Sequence, residues 1–263
     1  MNRTTARTSR AENAAINAPA WLTARPIAHR GLHDAAKGLA ENSIGAAEAA
    51  IAGGLAIECD VQLSRDGEAM VFHDFTLERL PEGEGRLDGV SARELAALAY
   101  RDGGETVASL PDFLGEIGGA APLVIEIKSR FDGDLRLAAR MLAVLSGYEG
   151  PAAAKSFDPA VLAFLRGTGF GRPIGLVAQA RYDGADWPEL DPERQVALAA
   201  LTDYPSIRPD FLSWHVGDLP HATPQLCRAG VGIPVMTWTV RSESDRRRAA
   251  DWTDQMIFEG FEP

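Results

Sequence analysis

Residues 55–74 read LAIECDVQLSRDGEAMVFHD, and two features of this run decide the fold. Its first seven residues are apolar except for Glu58 and Asp60. Near-continuous apolar runs of this length are the mark of a parallel strand covered by helices on its outer face. After Asp60, the run VQLSRDGEAMVFHD leaves no room for a helix, and Asp66-Gly67 is a hairpin turn signal. With the turn centred on Arg65-Asp66, pairing sets Val71 beside Asp60 and His73 beside Glu58. The hairpin then stands above the carboxyl end of the sheet and brings His73 to its mouth.

Seven further strand candidates flank this one: 26–30, 123–128, 152–157, 174–178, 211–216, 235–240 and 256–261. Helical stretches separate them. Asp158-Pro159 opens VLAFLRGTG, an N-cap with Pro in the first turn and Gly167 at the far end. Thr223-Pro224 repeats the device and ends at Gly230. Ser43 precedes the stripe Ile44, Ala47, Ile51, which Gly53-Gly54 closes. This alternation implies a parallel sheet, and eight strands favour closure into a (β/α)8 TIM barrel, an α/β fold. An open doubly wound sheet is the alternative, but no Gly-rich phosphate loop follows the first strand. Residues 75–109 break the pattern as a Gly- and charge-rich excursion with a capping box at Ser91-x-x-Glu94. They are expected to form a small lobe inserted after strand two. Residues 1–24 read as a tail and 25–263 as the barrel domain. The last strand candidate runs almost to Pro263, so the closing helix of the ideal barrel is expected to be absent, with part of residues 11–22 covering that gap.

The bulk properties limit the function. A 263-residue chain with 46% hydrophobic and 24% charged residues suits one large globular domain. A net charge of -11 argues against gripping a nucleic acid, while a small anionic substrate stays possible because one bound cation reverses the local field. No apolar run is long enough for a membrane span, so stable membrane insertion is not expected. The N-terminal MNRTTARTSR is basic, but the following AENAAINAPA is too polar for a signal peptide, so a cytoplasmic location is the default. Cys59 and Cys227 are the two cysteines, and they read as buried small apolar residues rather than a disulfide.

Residues two apart in a strand share a face, so Glu58 and Asp60 point the same way, as do Glu126 and Lys128. Ionised carboxylates side by side in an apolar strand cost several kcal/mol unless neutralised. Three carboxylates without a thiolate or a tight His pair suit a hard divalent cation, Mg²⁺ or Ca²⁺. A salt-bridge network among Arg30, Lys128 and the acids is the alternative. His29 and His73 fall at strand ends on the same rim, where barrels carry their active sites. Imidazoles there suit proton transfer, with Arg30, Lys128 and a cation to hold the oxygens of a phosphodiester.

The joint pattern AHRG (28–31), ENS (41–43), IECDVQLSRDGEAMVFHD (57–74), IEIK (125–128), SF (156–157) and WTV (238–240) resembles the glycerophosphodiester phosphodiesterase family. The resemblance covers roughly residues 26–240. It implies that His29 and His73 are the catalytic acid and base, and that Glu58, Asp60 and Glu126 are metal ligands. By the same likeness Arg30 and Lys128 contact phosphate, and Asn42, with Glu41, lies near the site to orient the metal shell or the phosphate. The family also carries an insertion after its second strand. The pattern departs at Ala40, where Pro is usual, in the loosely related FTLERLPEGEGRLDG (75–89), and at MIFEGFEP (256–263), which replaces a Thr-Asp-Arg-Pro ending.

The implied reaction is hydrolysis of glycerophosphodiesters to glycerol 3-phosphate and an alcohol such as choline or ethanolamine, through a cyclic phosphate made by the substrate's own 2-hydroxyl. A phospholipase-type barrel acting on lysophospholipids is the nearest alternative, and a barrel that binds phosphorylated metabolites without turnover is a third. Trp238 either walls the head group or packs in the core. His215 either reaches the site or stays outside it. Lys155 either contacts phosphate or forms an outward salt bridge. His33 and His221 read as solvated bystanders, and Arg246, Arg247 and Arg248 as a solvated helix face.

Overall fold

The computed structural model describes residues 18–80, 82–101, 104–183 and 187–263. Nine strands are placed: β1 Ile27–Ala28, β2 Ala56–Leu63, β3 Ala69–Val71, β4 Leu123–Ile127, β5 Ala152–Ser156, β6 Ile174–Ala178, β7 Phe211–His215, β8 Val235–Val240 and β9 Gln255–Phe258. Apart from β3, all pair in parallel, and β1 bonds to both β2 and β9, so the sheet closes into an eight-stranded barrel with helices between strands. Each of the eight apolar runs of the sequence supplies one barrel strand.

β3 is the returning arm of a hairpin. It pairs antiparallel with the end of β2, with Val71 opposite Val61. The pairing expected from the sequence set Val71 opposite Asp60, one residue away. The turn is one residue longer than Arg65-Asp66 implies, running from Ser64 to Glu68, whose backbone N–H donates to the Ser64 hydroxyl. A one-residue slip reverses which face each side chain takes.

Period-two patterning divides every barrel strand between two environments. Ile57, Cys59 and Val61 of β2 pack outward with Ile125, Ala154 and Leu212 and the covering helices, while Ala56, Val124, Ala153, Phe211, Met236 and Ile257 point inward and fill the barrel floor. Leu22, from the short turn Ala20–Leu22, plugs this floor together with Ile27. The described part of the segment expected to cover a missing helix therefore caps the amino end of the barrel instead. Residues 11–17 of that segment, and residues 1–17 of the proposed tail, lie outside the described residues.

Helix starts follow local chemistry. The hydroxyl of Ser43 accepts from the Ala46 N–H to cap helix Ile44–Ala52, and the Asp158 carboxylate accepts from the Ala160 N–H to cap helix Pro159–Gly167. Each such cap contributes about 1 kcal/mol. The Ser91–Glu94 capping box forms in both directions. At the expected Thr223 cap the structure differs: His221 is the N-cap, its ring accepting from the Thr223 N–H, and the helix passes into wider π turns over Leu226–Val231. His221 also stacks on Trp214, so it is a structural residue.

The excursion after β3 buries its own cluster, in which Leu77, Leu80, Leu87, Leu95, Tyr100 and Val107 pack on Met70, Phe72 and Ala40. Cys59 and Cys227 are buried and unpaired in the main core, as expected of small apolar residues.

Candidate active site

Above the apolar floor, the same inward positions turn polar. Two residues past Ala56 and Val124 come Glu58 and Glu126, and two past Ala153 comes Lys155. The register aligns Asp60, Glu126 and Lys155 across three adjacent strands. Glu58, Asp60 and Glu126 are all buried, and one oxygen from each lies within 4.8 Å of the others. This is the acidic cluster the sequence implied.

Basic groups surround it. Lys128 Nζ lies 2.8 Å from Asp60 Oδ1 and 2.6 Å from Glu126 Oε1. Lys155 Nζ lies 3.0 Å from Glu58 Oε1 and 2.8 Å from Glu126 Oε2. Arg30 Nε is 3.2 Å from Asp60 Oδ2, and the Arg30 backbone N–H donates to Glu58 Oε2 at 3.0 Å. Burial alone would raise the carboxyl pKa values. Lys128 and Lys155 nevertheless hold Glu126 down at about 2, and Lys128, His73, Arg30 and His29 hold Asp60 well below the usual carboxylate range. Asp60 and Glu126 are thus charged at neutral pH.

The β1 loop supplies the near side of the site. Arg30 and Asn42 both adopt left-handed backbone, φ 56° and 57°, a conformation Asn tolerates but Arg holds only when its surroundings impose it. Gly31 follows, with φ 79°, and a Cβ there would sit 2.8 Å from Ala46, so helix Ile44–Ala52 can approach only because this residue is glycine. Asn42 spends its carboxamide on Asp60: Nδ2 donates to Asp60 Oδ2 and Oδ1 accepts from the Asp60 backbone N–H, each at 3.0 Å. Of the two roles open to Asn42, this geometry suits orienting the acidic cluster.

Each histidine has an acidic partner. His29 is 7% exposed, with Nδ1 2.5 Å from Glu259 Oε2 and Nε2 4.0 Å from Glu58 Oε2. Arg241 Nε grips the other oxygen of Glu259 at 2.5 Å, and His33 Nε2 lies 3.6 Å from Oε2. Burial pushes Glu259 up, but its bonds to His29, His33 and Arg241 bring its pKa far down. His33 is therefore a half-buried neighbour of the His29 pair rather than a solvated bystander. His73 Nδ1 lies 2.6 Å from Asp74 Oδ1, and Arg79 bonds the far side of Asp74 while its NH2 reaches Glu41 Oε1 at 2.7 Å.

A cavity of about 820 Å³ opens beside the cluster. His73, Glu126 and Lys128 line one side, and Phe75, Phe131, Phe157, Trp187 and Trp238 form an aromatic wall. Trp238 is fixed there by donating Nε1–H to the Ser213 carbonyl at 3.0 Å and by an edge contact with Phe157. His215 also lines the cavity, 5.0 Å from the Trp238 ring. Lys155 is buried in the barrel among the acids, which overturns the outward salt bridge that was one of its two expected placements.

Two groups, Glu259 and Asp74, escaped the sequence reading, and the placement of Lys155 was left open. Glu259 carried a signal in its inward parity with Ile257, two residues earlier. Asp74 follows His73 directly but has no periodic signature. The inward direction of Lys155 was legible from the same parity as Ala153.

The donor set fits a hard divalent cation. It offers carboxylate oxygens alone, and Glu58 Oε1 is buried without a hydrogen-bond partner. Among the described residues, no helix is long and apolar enough to cross a membrane.

A closed (β/α)8 barrel with a buried acidic cluster and basic groups on one rim is the frame of an enzyme acting on an anionic substrate. The sequence model of the glycerophosphoryl diester phosphodiesterase family matches residues 29–261, and the chain belongs to that family. A glycerophosphodiester phosphodiesterase of Caldanaerobacter subterraneus is 38% identical over 111 residues, covering 39% of this chain. That match spans 44% of the relative's length, less than half of it. The fold is shared with a phosphodiesterase of Oleispira antarctica in complex with the product sn-glycerol-3-phosphate, at TM-score 0.73 and 20% identity over 90% of this chain and 93% of that one. It is also shared with a glycerophosphodiester phosphodiesterase of Thermotoga maritima, at TM-score 0.66 and 22% identity over 88% and 92%.

Proposed function

We propose that this protein hydrolyses glycerophosphodiesters to glycerol 3-phosphate and a free alcohol. Glu58, Asp60 and Glu126 would hold one divalent cation, Mg²⁺ or Ca²⁺, and His29 and His73 would serve as acid and base. The observation that carries the reading is the coincidence of three buried acids within 4.8 Å with a His next to the cluster and a His lining the adjoining cavity.

The chain's own groups divide the work. Lys128, at the cavity edge, attracts the anionic diester, and Arg30 adds a second positive charge behind Asp60. Trp238 and the aromatic wall hold the departing alcohol or the glycerol carbons. With Nδ1 of each histidine tied to a carboxylate, Nε2 is left to take or give a proton. One imidazole removes the proton of the substrate's 2-hydroxyl as its oxygen bonds to phosphorus, and the other protonates the alcohol as the P–O bond breaks. Water then opens the cyclic phosphate with the two roles exchanged. When bound, the cation supplies charge stabilisation for the non-bridging oxygens.

The volume of the cavity and its five aromatic side chains favour a second reading, a lysophospholipid as substrate. Chelator-treated protein assayed on several glycerophosphodiesters and a lysophospholipid, with Mg²⁺ and Ca²⁺ restored separately, tests both. Activity unaffected by chelation rejects the cation, and release of monoacylglycerol phosphate as main product selects the second reading. A cytoplasmic site of action belongs to the same proposal and is checked by cell fractionation.

A further inference from the structure

Lys155 has no part in the reaction described above, yet it is one of the most deeply buried charges in the molecule, 2% exposed. It extends from β5 into the barrel and bridges Glu58 Oε1 and Glu126 Oε2. The two other bases of the cluster differ from it in one respect. Lys128 and Arg30 have side chains 14% and 15% exposed, where an incoming anion can draw them from the acids. Lys155 is absent from the cavity lining and cannot follow a substrate.

The charges fix the consequence. Lys128 and Lys155 stand directly against the three acids and Arg30 shares its charge between Asp60 and Glu41, so the protein's own cations already offset most of the negative charge of the cluster. Both oxygens of Glu126 already face lysines, and the Glu58 oxygen next to Lys155 makes no hydrogen bond with it. The acids are thus held in place by the protein's own cations, and a divalent ion enters against a positive charge fixed on the closed side of the cluster.

The geometry points to Lys155 as a built-in counter-cation, which keeps the three acids assembled without a metal and weakens their hold on any ion that enters. This rests on the proposal that Glu58, Asp60 and Glu126 are the ligands, but it assigns a role to a residue outside that set. It follows that removing the positive charge should strengthen ion binding, the reverse of what loss of a ligand does.

The test is titration of the chelator-treated full chain with Ca²⁺ and with Mg²⁺ by calorimetry, comparing wild type with Lys155→Gln and Lys155→Met. Both variants are expected to bind the ion about tenfold or more tightly, since a unit charge acts on a divalent ion at short range. Their thermal midpoint without metal should fall, and saturating ion should restore most of the loss, while wild type gains little from the ion. Binding by all three proteins with unchanged or weaker affinity in the variants overturns the role of Lys155 alone. Variants that stay unfolded even in saturating Ca²⁺ overturn it too, because the ion would replace the missing charge. No binding by any of the three proteins rejects the metal reading and this inference together. Binding by the variants but not by wild type supports it.

Discussion

Glu259 Oε2 lies 2.5 Å from Nδ1 of His29, and Arg241 holds the opposite oxygen of the same carboxylate. The pair joins the residue just past the last barrel strand to the one just past the first, across the seam where β9 meets β1. An acid on Nδ1 fixes the proton there and presents Nε2 to the site.

Glu259→Gln and Glu259→Ala should therefore lower kcat by roughly tenfold or more, with KM less affected and alanine the worse of the two. Glutamine can still accept from Nδ1–H but cannot stabilise the imidazolium. A kcat identical to wild type in both variants rejects the positioning role.

His29→Ala and His73→Ala should each reduce turnover by about a hundredfold or more. The circular dichroism spectrum should stay close to wild type, which separates loss of chemistry from loss of fold. Full activity in either variant excludes acid–base exchange between the two rings.

The barrel was readable from sequence because its strands are apolar on both faces and regularly spaced, which leaves few alternatives. Glu58, Asp60 and Glu126 were readable for a related reason: a charge at an inward position of such a strand has no bland explanation. Lys155 and Glu259 obey the same parity, but each stands alone in its strand, and an isolated charge near a strand end also suits a surface. The hairpin register failed by one residue because the length of a turn is set by local backbone bonds, here those around Ser64, that Asp-Gly alone does not specify. His33 and His221 were misread since their partners, Glu259 and Trp214, are distant in sequence.

Asn42→Ala should destabilise the protein by about 1–3 kcal/mol. The change leaves the buried N–H of Asp60 without its acceptor and puts alanine at φ 57°. Asn42→Gly removes the backbone strain but not the lost hydrogen bonds, so it should fall between wild type and alanine in urea unfolding. Equal stability of all three proteins would show that the Asn42–Asp60 bonds contribute nothing net.

Chelator-treated protein should lose stability as pH falls from about 5 toward about 2. Asp60 and Glu126 have folded-state pKa values below their unfolded ones, Glu126 at about 2. Their contribution is complete above the ordinary carboxylate range and disappears as the pH drops through the folded values. Thermal midpoints measured across this range should decline steadily, and Glu126→Gln should decline less steeply from a lower starting point. A flat wild-type curve would mean that burial offsets the lysines and that these acids are not held ionised.

Arg79 ties the inserted lobe to both halves of the site, bonding Asp74 behind His73 and Glu41 beside Arg30. It is about half exposed, so its ion pairs add little to global stability. Their value lies in holding Asp74 where it can fix the His73 ring. Arg79→Ala should leave the thermal midpoint within about 2 °C of wild type, as expected for a change of a few tenths of a kcal/mol in a domain this size. It should nonetheless lower kcat several-fold. Arg79→Lys keeps a charge but not the planar fork that spans Asp74 and Glu41, so it should recover only part of the rate. If the alanine variant retains full kcat, or if its loss of rate parallels an equal loss of stability, the lobe does not set the position of His73 through this arginine.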